Sequence, residues 1–323
     1  MTRDKEQRKR LSPRDKLRLF YAPEEHRATR REVLAGLLGT LAVGCADDAG
    51  SGKSPSGGRA GAAGAGTGTR RSAYDSVELG STGIVTSRLA MGSGTTGFNG
   101  SSAQTRLGER FTEILVQGYE RGIRFFETAD AYGSHGRVRD AMQQVGRQNV
   151  TLLTKTMAET REEAEADLAR FMEELGTDYI DIVLLHIRTS PDWIREGEGA
   201  MEVLAEAKQR GQIRAHGVSC HSLEALRSAA QEPWVDVDLA RINPFRLHMD
   251  ADPATVIAEL EGMKASGKAV LGMKILGQGD AVDRFDEAIE HATRLNCIHG
   301  FTIGFRSIEE LDQVATKIAS VEV

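Results

Sequence analysis

Residues 124–133 read Arg-Phe-Phe-Glu-Thr-Ala-Asp-Ala-Tyr-Gly, and the reading of this stretch decides the fold. An apolar pair opens it and Asp, Tyr and Gly close it, the signature of a short buried strand running into a polar loop. Just before it, Tyr119-Glu-Arg-Gly122 ends a segment of helical period on a glycine, which suits a left-handed C-terminal cap. The same unit of helix, glycine and short apolar run recurs at Glu173-Glu-Leu-Gly176, Lys208-Gln-Arg-Gly211 and Lys264-Ala-Ser-Gly267.

Working outward, apolar runs begin at Ser87, Arg124, Thr151, Ile180, Ala215, Asp238, Ala269 and Gly300, with amphipathic segments between them. Short apolar runs alternating with helices imply parallel strands joined by crossovers, and eight such units predict an α/β fold, a (β/α)8 barrel. In one predicted helix Ala164, Leu168, Phe171, Met172 and Leu175 form a stripe that faces the barrel, with Glu, Asp and Arg elsewhere. Ahead of the first strand, residues 77–87 (VELGSTGIVTS) read as two β segments around a turn. This N-terminal β-hairpin is expected to close the lower end of the barrel.

In such a barrel, catalytic groups sit at the C-terminal ends of different strands. The strand at 124–129 carries Glu127 and leads into Asp130 and Tyr132; the next ends in Lys155 and the one after in His186. A carboxylate, a phenol, an amine and an imidazole are thus expected to converge. Lysine beside tyrosine favours the phenolate and makes the phenol a better proton donor, while a carboxylate keeps the buried lysine charged. Strand alternation puts Glu127 and Ala129 on one face and Asp130 off it, so Glu127 is the expected partner.

Taken together, GSTGIVTSRLAMGSG (80–94), FFETADAYG (125–133), LLTKT (152–156), DYIDIVLLH (178–186) and GVSCH (217–221) resemble the aldo-keto reductases, over essentially all of residues 74–323. The resemblance implies that Tyr132 is the general acid, that Lys155 lowers its pKa, that His186 orients a carbonyl, and that a carboxylate pairs with the lysine. Three positions depart from the family pattern. Glu127 stands where aspartate is usual, Ser219-Cys220 replaces Ser-Asn at the nicotinamide carboxamide, and Met273 replaces a ring that stacks on the nicotinamide. Lys274 is either a ligand of a cofactor phosphate or half of a structural ion pair. Arg306 and Ser307 follow the last strand, where barrels offer a phosphate a helix N-terminus. With Asn243 and Gly277 they complete the expected cofactor set of Ser219, Cys220, Asn243, Met273, Lys274, Gly277, Arg306 and Ser307. The implied reaction is hydride transfer between NADP(H), with NAD(H) second, and a small carbonyl or alcohol, without a metal. A cofactor-binding or sensing barrel with little turnover is the alternative. Sugars, steroids, aldehydes and ketones all stay open as substrates.

The formal net charge of −6 provides no basic footprint for nucleic acid. Three widely spaced cysteines match neither a zinc knuckle nor a redox pair, and Cys220 and Cys297 are expected as buried small side chains. Residues 1–44 read as a signal segment: a charged stretch without apolar period, the pair Arg30-Arg31, then an apolar run too short to span a bilayer. The Arg pair resembles a twin-arginine signal, and Ala42-Val43-Gly44-Cys45 resembles a lipobox that would make Cys45 a lipid anchor. Residues 45–73, rich in Gly, Ala and Ser, read as a flexible tether. The expectation is an exported, lipid-anchored protein in the periplasm or on the outer face of a bacterial membrane.

Overall fold

A computed structural model describes residues 69–323. Arg30, Arg31, Cys45 and the rest of the signal and tether through residue 68 lie outside the described residues. Strands β1 (Ser76–Glu78) and β2 (Val85–Ser87) pair antiparallel, with Val77 opposite Thr86. The barrel strands follow: β3 (Leu89–Gly92), β4 (Phe125–Glu127), β5 (Thr151–Thr156), β6 (Ile180–Arg188), β7 (Ile213–Cys220), β8 (Val237–Arg241), β9 (Ala269–Met273) and β10 (Gly300–Gly304). They close in sequence order, all parallel, with β10 returning to β3 through Phe301 opposite Leu89. Helices α1 (Glu109–Glu120), α2 (His135–Val145), α3 (Arg161–Leu175), α4 (Trp193–Glu196), α5 (Glu198–Gln209), α6 (Leu223–Gln231), α7 (Pro253–Ala265), α8 (Phe285–Arg294) and α9 (Ile308–Ser320) fill the crossovers and the outer ring. The single-turn α4 is an addition to the expected alternation.

Local chemistry starts and stops these helices. Thr160 and Glu163 form a reciprocal capping box on α3, whose C-terminus passes into Gly176 at φ 61°, the left-handed cap expected from sequence. Asp252 caps α7 ahead of Pro253, and Ser307 caps α9 by accepting from the Glu310 amide. On α3, Ala164, Leu168, Phe171 and Leu175 are buried as expected, while Met172 at the edge of the stripe is only partly covered.

Two layers share the burial. Outward-facing strand residues pack on the helices, and the inward-facing ones form a separate cluster including Phe125, Leu153, Leu184, Leu239 and Leu271. Leu79 and Ile84 of the hairpin are fully buried in this inner cluster and joined by a backbone bond from the Leu79 amide to the Ile84 carbonyl. The hairpin therefore plugs the lower end with apolar side chains worth about 1.5–3 kcal/mol each.

The folded unit begins earlier than composition suggested. Arg71 donates to the carbonyls of Thr293 and Leu295, Ala73 is fully buried, and the Val323 amide bonds to the Thr69 carbonyl. Residues 69–73, read as the end of the tether, are thus tied to the C-terminal part of the barrel. Composition cannot show partners more than 200 residues away.

Candidate active site

Period-2 alternation inside the barrel determines what reaches its upper rim. Counting upward from the inner-cluster residues, the last inward positions are Gly92, Glu127, Lys155, His186, Ser219, Arg241, Met273 and Gly304, with the inward Thr302 one step below Gly304. Every strand thus contributes to one ring, and the four expected catalytic residues occupy successive places on it or, for Tyr132, the loop above it.

Lys155 is fully buried, and its ammonium pairs with the Glu127 carboxylate and donates to the Thr128 carbonyl at 2.8 Å. Burial pulls the Lys155 pKa down, and the Glu127 charge opposes that shift. The other Glu127 oxygen accepts from the Thr302 hydroxyl at 3.1 Å. Gly92 makes room for this longer acid, since a Cβ there would lie 2.9 Å from Glu127 Oε2 and 2.7 Å from Thr302 Oγ1. Asp130 points elsewhere and binds Arg170 of α3 at 2.7 Å. The choice of Glu127 over Asp130, made on strand register, matches this geometry.

Tyr132 stands over the pair. Its hydroxyl is 3.4 Å from Lys155 Nζ and 3.4 Å from His186 Nε2, and the ammonium lies 4.8 Å from the ring centroid. The ring rests in a cleft of glycines: a Cβ on Gly94 would collide with it, and one on Gly97 would lie 2.5 Å from its Cδ1. Gly133, left-handed at φ 64°, lets the Tyr132 loop press against Gly100, whose amide bonds to the Ala131 carbonyl. Below, the hydroxyls of Ser93, Ser134 and Thr128 form a buried chain with spacings of 2.7 and 2.6 Å, fixing the loop's entry and exit.

His186 sits where β6 becomes irregular. The register with β7 shifts between Leu185 and Arg188, and Ile187 adopts φ 54°, a left-handed value that a β-branched residue rarely takes. This bulge re-aims the strand end beside the phenol and carries β6 two residues beyond the expected stop at His186. Burial, with Lys155, Arg188 and Lys274 nearby, pushes the His186 pKa well below the usual histidine range, so the ring is neutral. Its Nδ1 has no hydrogen-bond partner among the described residues.

The expected cofactor residues divide. Ser219 is fully buried, on the inner face, with its hydroxyl unpartnered among the described residues; Met273 belongs to the inner cluster, and Lys274 follows it. No carboxylate is paired with Lys274 among the described residues, so its reading as half of a structural ion pair fails. Cys220 does not reach the lumen: strand alternation turns it outward, into the helix-packed layer beside Asp238, where burial pushes its pKa well up. Asn243 is also excluded as a ligand. Its amide nitrogen donates to Leu247 and Lys274 carbonyls and its oxygen accepts from the Phe245 and Leu247 amides, so its hydrogen-bonding capacity is taken up in bracing the loop. Gly277, at φ 53°, is a close-packing position against Leu247. Arg306 is exposed and paired with Glu310 one turn along α9, while Ser307 serves as that helix's cap.

Several rim residues were not singled out from sequence. Arg241 and Thr302 were legible by alternation, two positions after Leu239 and one after the outward Phe301. The glycine cleft was not, because its purpose depends on where a distant ring comes to lie.

Comparisons agree with this geometry. The model of the aldo/keto reductase family matches residues 90–321. An aldo-keto reductase of Bacillus subtilis (YhdN) is 33% identical over 167 residues, covering 46% of this chain and 48% of the relative. The NADH-specific methylglyoxal reductase of Escherichia coli is 27% identical over 193 residues, covering 51% and 58%. The chain thus spans about half the length of the curated relatives it matches. Among solved structures, an aldo-keto reductase of Bacillus halodurans in its holo form superimposes with a TM-score of 0.63 at 17% identity, covering 77% of this chain and 92% of that one. A Bombyx mori aldo-keto reductase in complex with NADP gives 0.56 at 17% identity, covering 76% and 86%. With the family model spanning most of the sequence and the barrel and its rim in place, the chain belongs to the aldo/keto reductase family.

Proposed function

We propose that the protein is a nicotinamide-dependent carbonyl reductase, using NADP(H) with NAD(H) second, in which Tyr132 donates the proton. One observation carries this reading: a phenol hydroxyl held 3.4 Å from both a buried lysine and a neutral histidine. Those distances are long for hydrogen bonds, so the phenol can exchange them for a shorter one to an incoming carbonyl oxygen. When the proton leaves, the Lys155 ammonium stabilises the phenolate, and Glu127 and Thr302 keep the ammonium in place. His186, neutral, can donate from Nε2 to the same oxygen without carrying charge into the site.

The rim fits the expected cofactor, which supplies the hydride when bound. Ser219, buried with an unused hydroxyl, and Met273 would hold its nicotinamide end. Arg306 supports the phosphorylated cofactor, because its exposed pair with Glu310 is worth at most about 1 kcal/mol and yields readily to a phosphate. A binding or sensing barrel needs no proton donor poised in this way. The test is oxidation of NADPH and of NADH by purified protein against a panel of aldehydes, ketones and 2-oxo compounds. Absence of turnover with every carbonyl and both cofactors would refute the reading.

Export and lipid attachment at Cys45 are proposed on the sequence alone. The support is the Arg30-Arg31 pair, the short apolar run and the small residues before the cysteine.

A further inference from the structure

Beyond the proton-donating group, the rim continues with an imidazole and two cationic side chains. His221 follows β7, Arg241 ends β8 and Lys274 follows β9. The His221 and His186 rings are 6.3 Å apart, centroid to centroid, so this run begins beside the phenol's neighbour. His221 Nε2 is buried with no hydrogen-bond partner among the described residues. The Lys274 side chain, partly buried, has no hydrogen bond or ion pair among the described residues, and Arg241 is the charged group that acts on it. Arg241 itself is held by Asp250 at 2.7 Å. Lys274 also adopts φ 59°, a left-handed backbone uncommon for a lysine. A partly buried, unpaired ammonium on a left-handed backbone near a buried, unpartnered imidazole nitrogen is an arrangement that an anion would relieve.

We propose that Lys274 and His221 form an anion-accepting subsite one step along the rim from Tyr132 and His186, and that the substrate is a short oxo-carboxylate whose carboxylate sits there. This rests on the carbonyl-reductase reading. With the two histidine rings 6.3 Å apart, a carbonyl at His186 and an anion at His221 fit within one short molecule, as in 2- or 3-oxo acids. A neutral His221 can present Nε2–H to one carboxylate oxygen while Lys274 meets the other. Burial and Arg241 draw the Lys274 pKa down to about 7, and a bound carboxylate would hold the proton on it. Toward His221 the neighbouring strands also bring His186 and Lys155, and the acid of that part of the rim, Glu127, is committed to Lys155. The other anion that could seek this subsite is a phosphate of the cofactor, and the experiment separates the two.

Phenylglyoxylate and phenylglyoxal, matched in shape and differing in charge, are compared as substrates of the wild type, Lys274→Met, Lys274→Arg and His221→Phe. Binding of NADPH is followed by fluorescence and binding of oxalate by calorimetry. The wild type should bind oxalate and prefer phenylglyoxylate. Lys274→Met and His221→Phe should lower the kcat/KM ratio of phenylglyoxylate to phenylglyoxal at least tenfold, and Lys274→Arg should restore most of it. If Lys274→Met instead weakens NADPH binding and leaves the substrate ratio alone, the anion is the cofactor's and the proposal falls. Failure of the wild type to bind oxalate also overturns it. Should no carbonyl be reduced while oxalate binds in a Lys274-dependent way, the reductase reading fails and the subsite stands.

Discussion

The Glu127 carboxylate and the Lys155 ammonium form a closed pair across β4 and β5, with side chains 6% and 1% exposed, and the Thr302 hydroxyl anchors the acid from β10. Removing one partner of a buried pair typically costs about 3–5 kcal/mol, because the other charge is stranded. Glu127→Gln should lower the thermal midpoint and reduce turnover on the order of 10²-fold as Lys155 loses its charge partner. Asp130→Asn, which leaves Arg170 still paired with Asp167 and Glu174, should change turnover less than about threefold. Steady-state kinetics of both variants decide it. A silent Glu127→Gln beside a crippled Asp130→Asn would reverse the assignment.

Tyr132→Phe removes the hydroxyl and keeps the ring in its glycine cleft. Carbonyl reduction should fall by about 10²–10⁴, the usual worth of general acid catalysis, while NADPH affinity measured by fluorescence stays within about twofold. Unchanged turnover would reject Tyr132 as the proton donor.

Gly94→Ala would put a methyl group into the space of the Tyr132 ring. The ring must move, and a displacement of about 1 Å at the reacting group can cost roughly 10²-fold in rate. Cofactor binding should be nearly preserved, so kcat falls at an almost constant cofactor affinity. A Gly94→Ala variant with wild-type kcat would show that the cleft does not position the phenol.

Asp238, fully buried in the helix-packed layer beside Cys220, has its pKa raised by desolvation to about 7. In the unfolded chain the carboxyl returns to about 3.9, so the folded state holds the proton more tightly. The stability this group contributes is therefore complete below about pH 4 and is lost as pH rises through about 7. The full loss across that window amounts to roughly 4 kcal/mol. Asp238→Asn should gain stability relative to the wild type as pH goes from 5 to 8, by urea unfolding at each pH. A constant difference across that range would contradict the raised pKa.

Replacing Arg30 and Arg31 by Lys should hold the protein in the cytoplasm, and Cys45→Ala should release it from the membrane fraction. Stable anchoring needs more than one acyl chain, so the second effect should be nearly complete. Cell fractionation with an antibody to the barrel reads both. Wild-type protein found soluble in the cytoplasm with residues 1–31 attached would refute export.

Local signals were enough for much of this. Period-2 and period-3.6 patterns, with glycines such as Gly176 closing the helices, marked eight strands, their order and the inward register of Glu127, Lys155 and His186, because those periods are properties of the backbone itself. The rest depended on contacts between segments far apart in the chain. Which way Cys220 faces, the consumption of Asn243 by its own loop, the bulge at Ile187 that aims His186, and the seating of Tyr132 against Gly94 and Gly97 all follow from closure of the barrel. So does the isolation of Lys274: a lysine at a strand end looks the same in sequence whether an acid awaits it or not, and only the closed ring shows that the neighbouring strands bring cations and imidazoles instead.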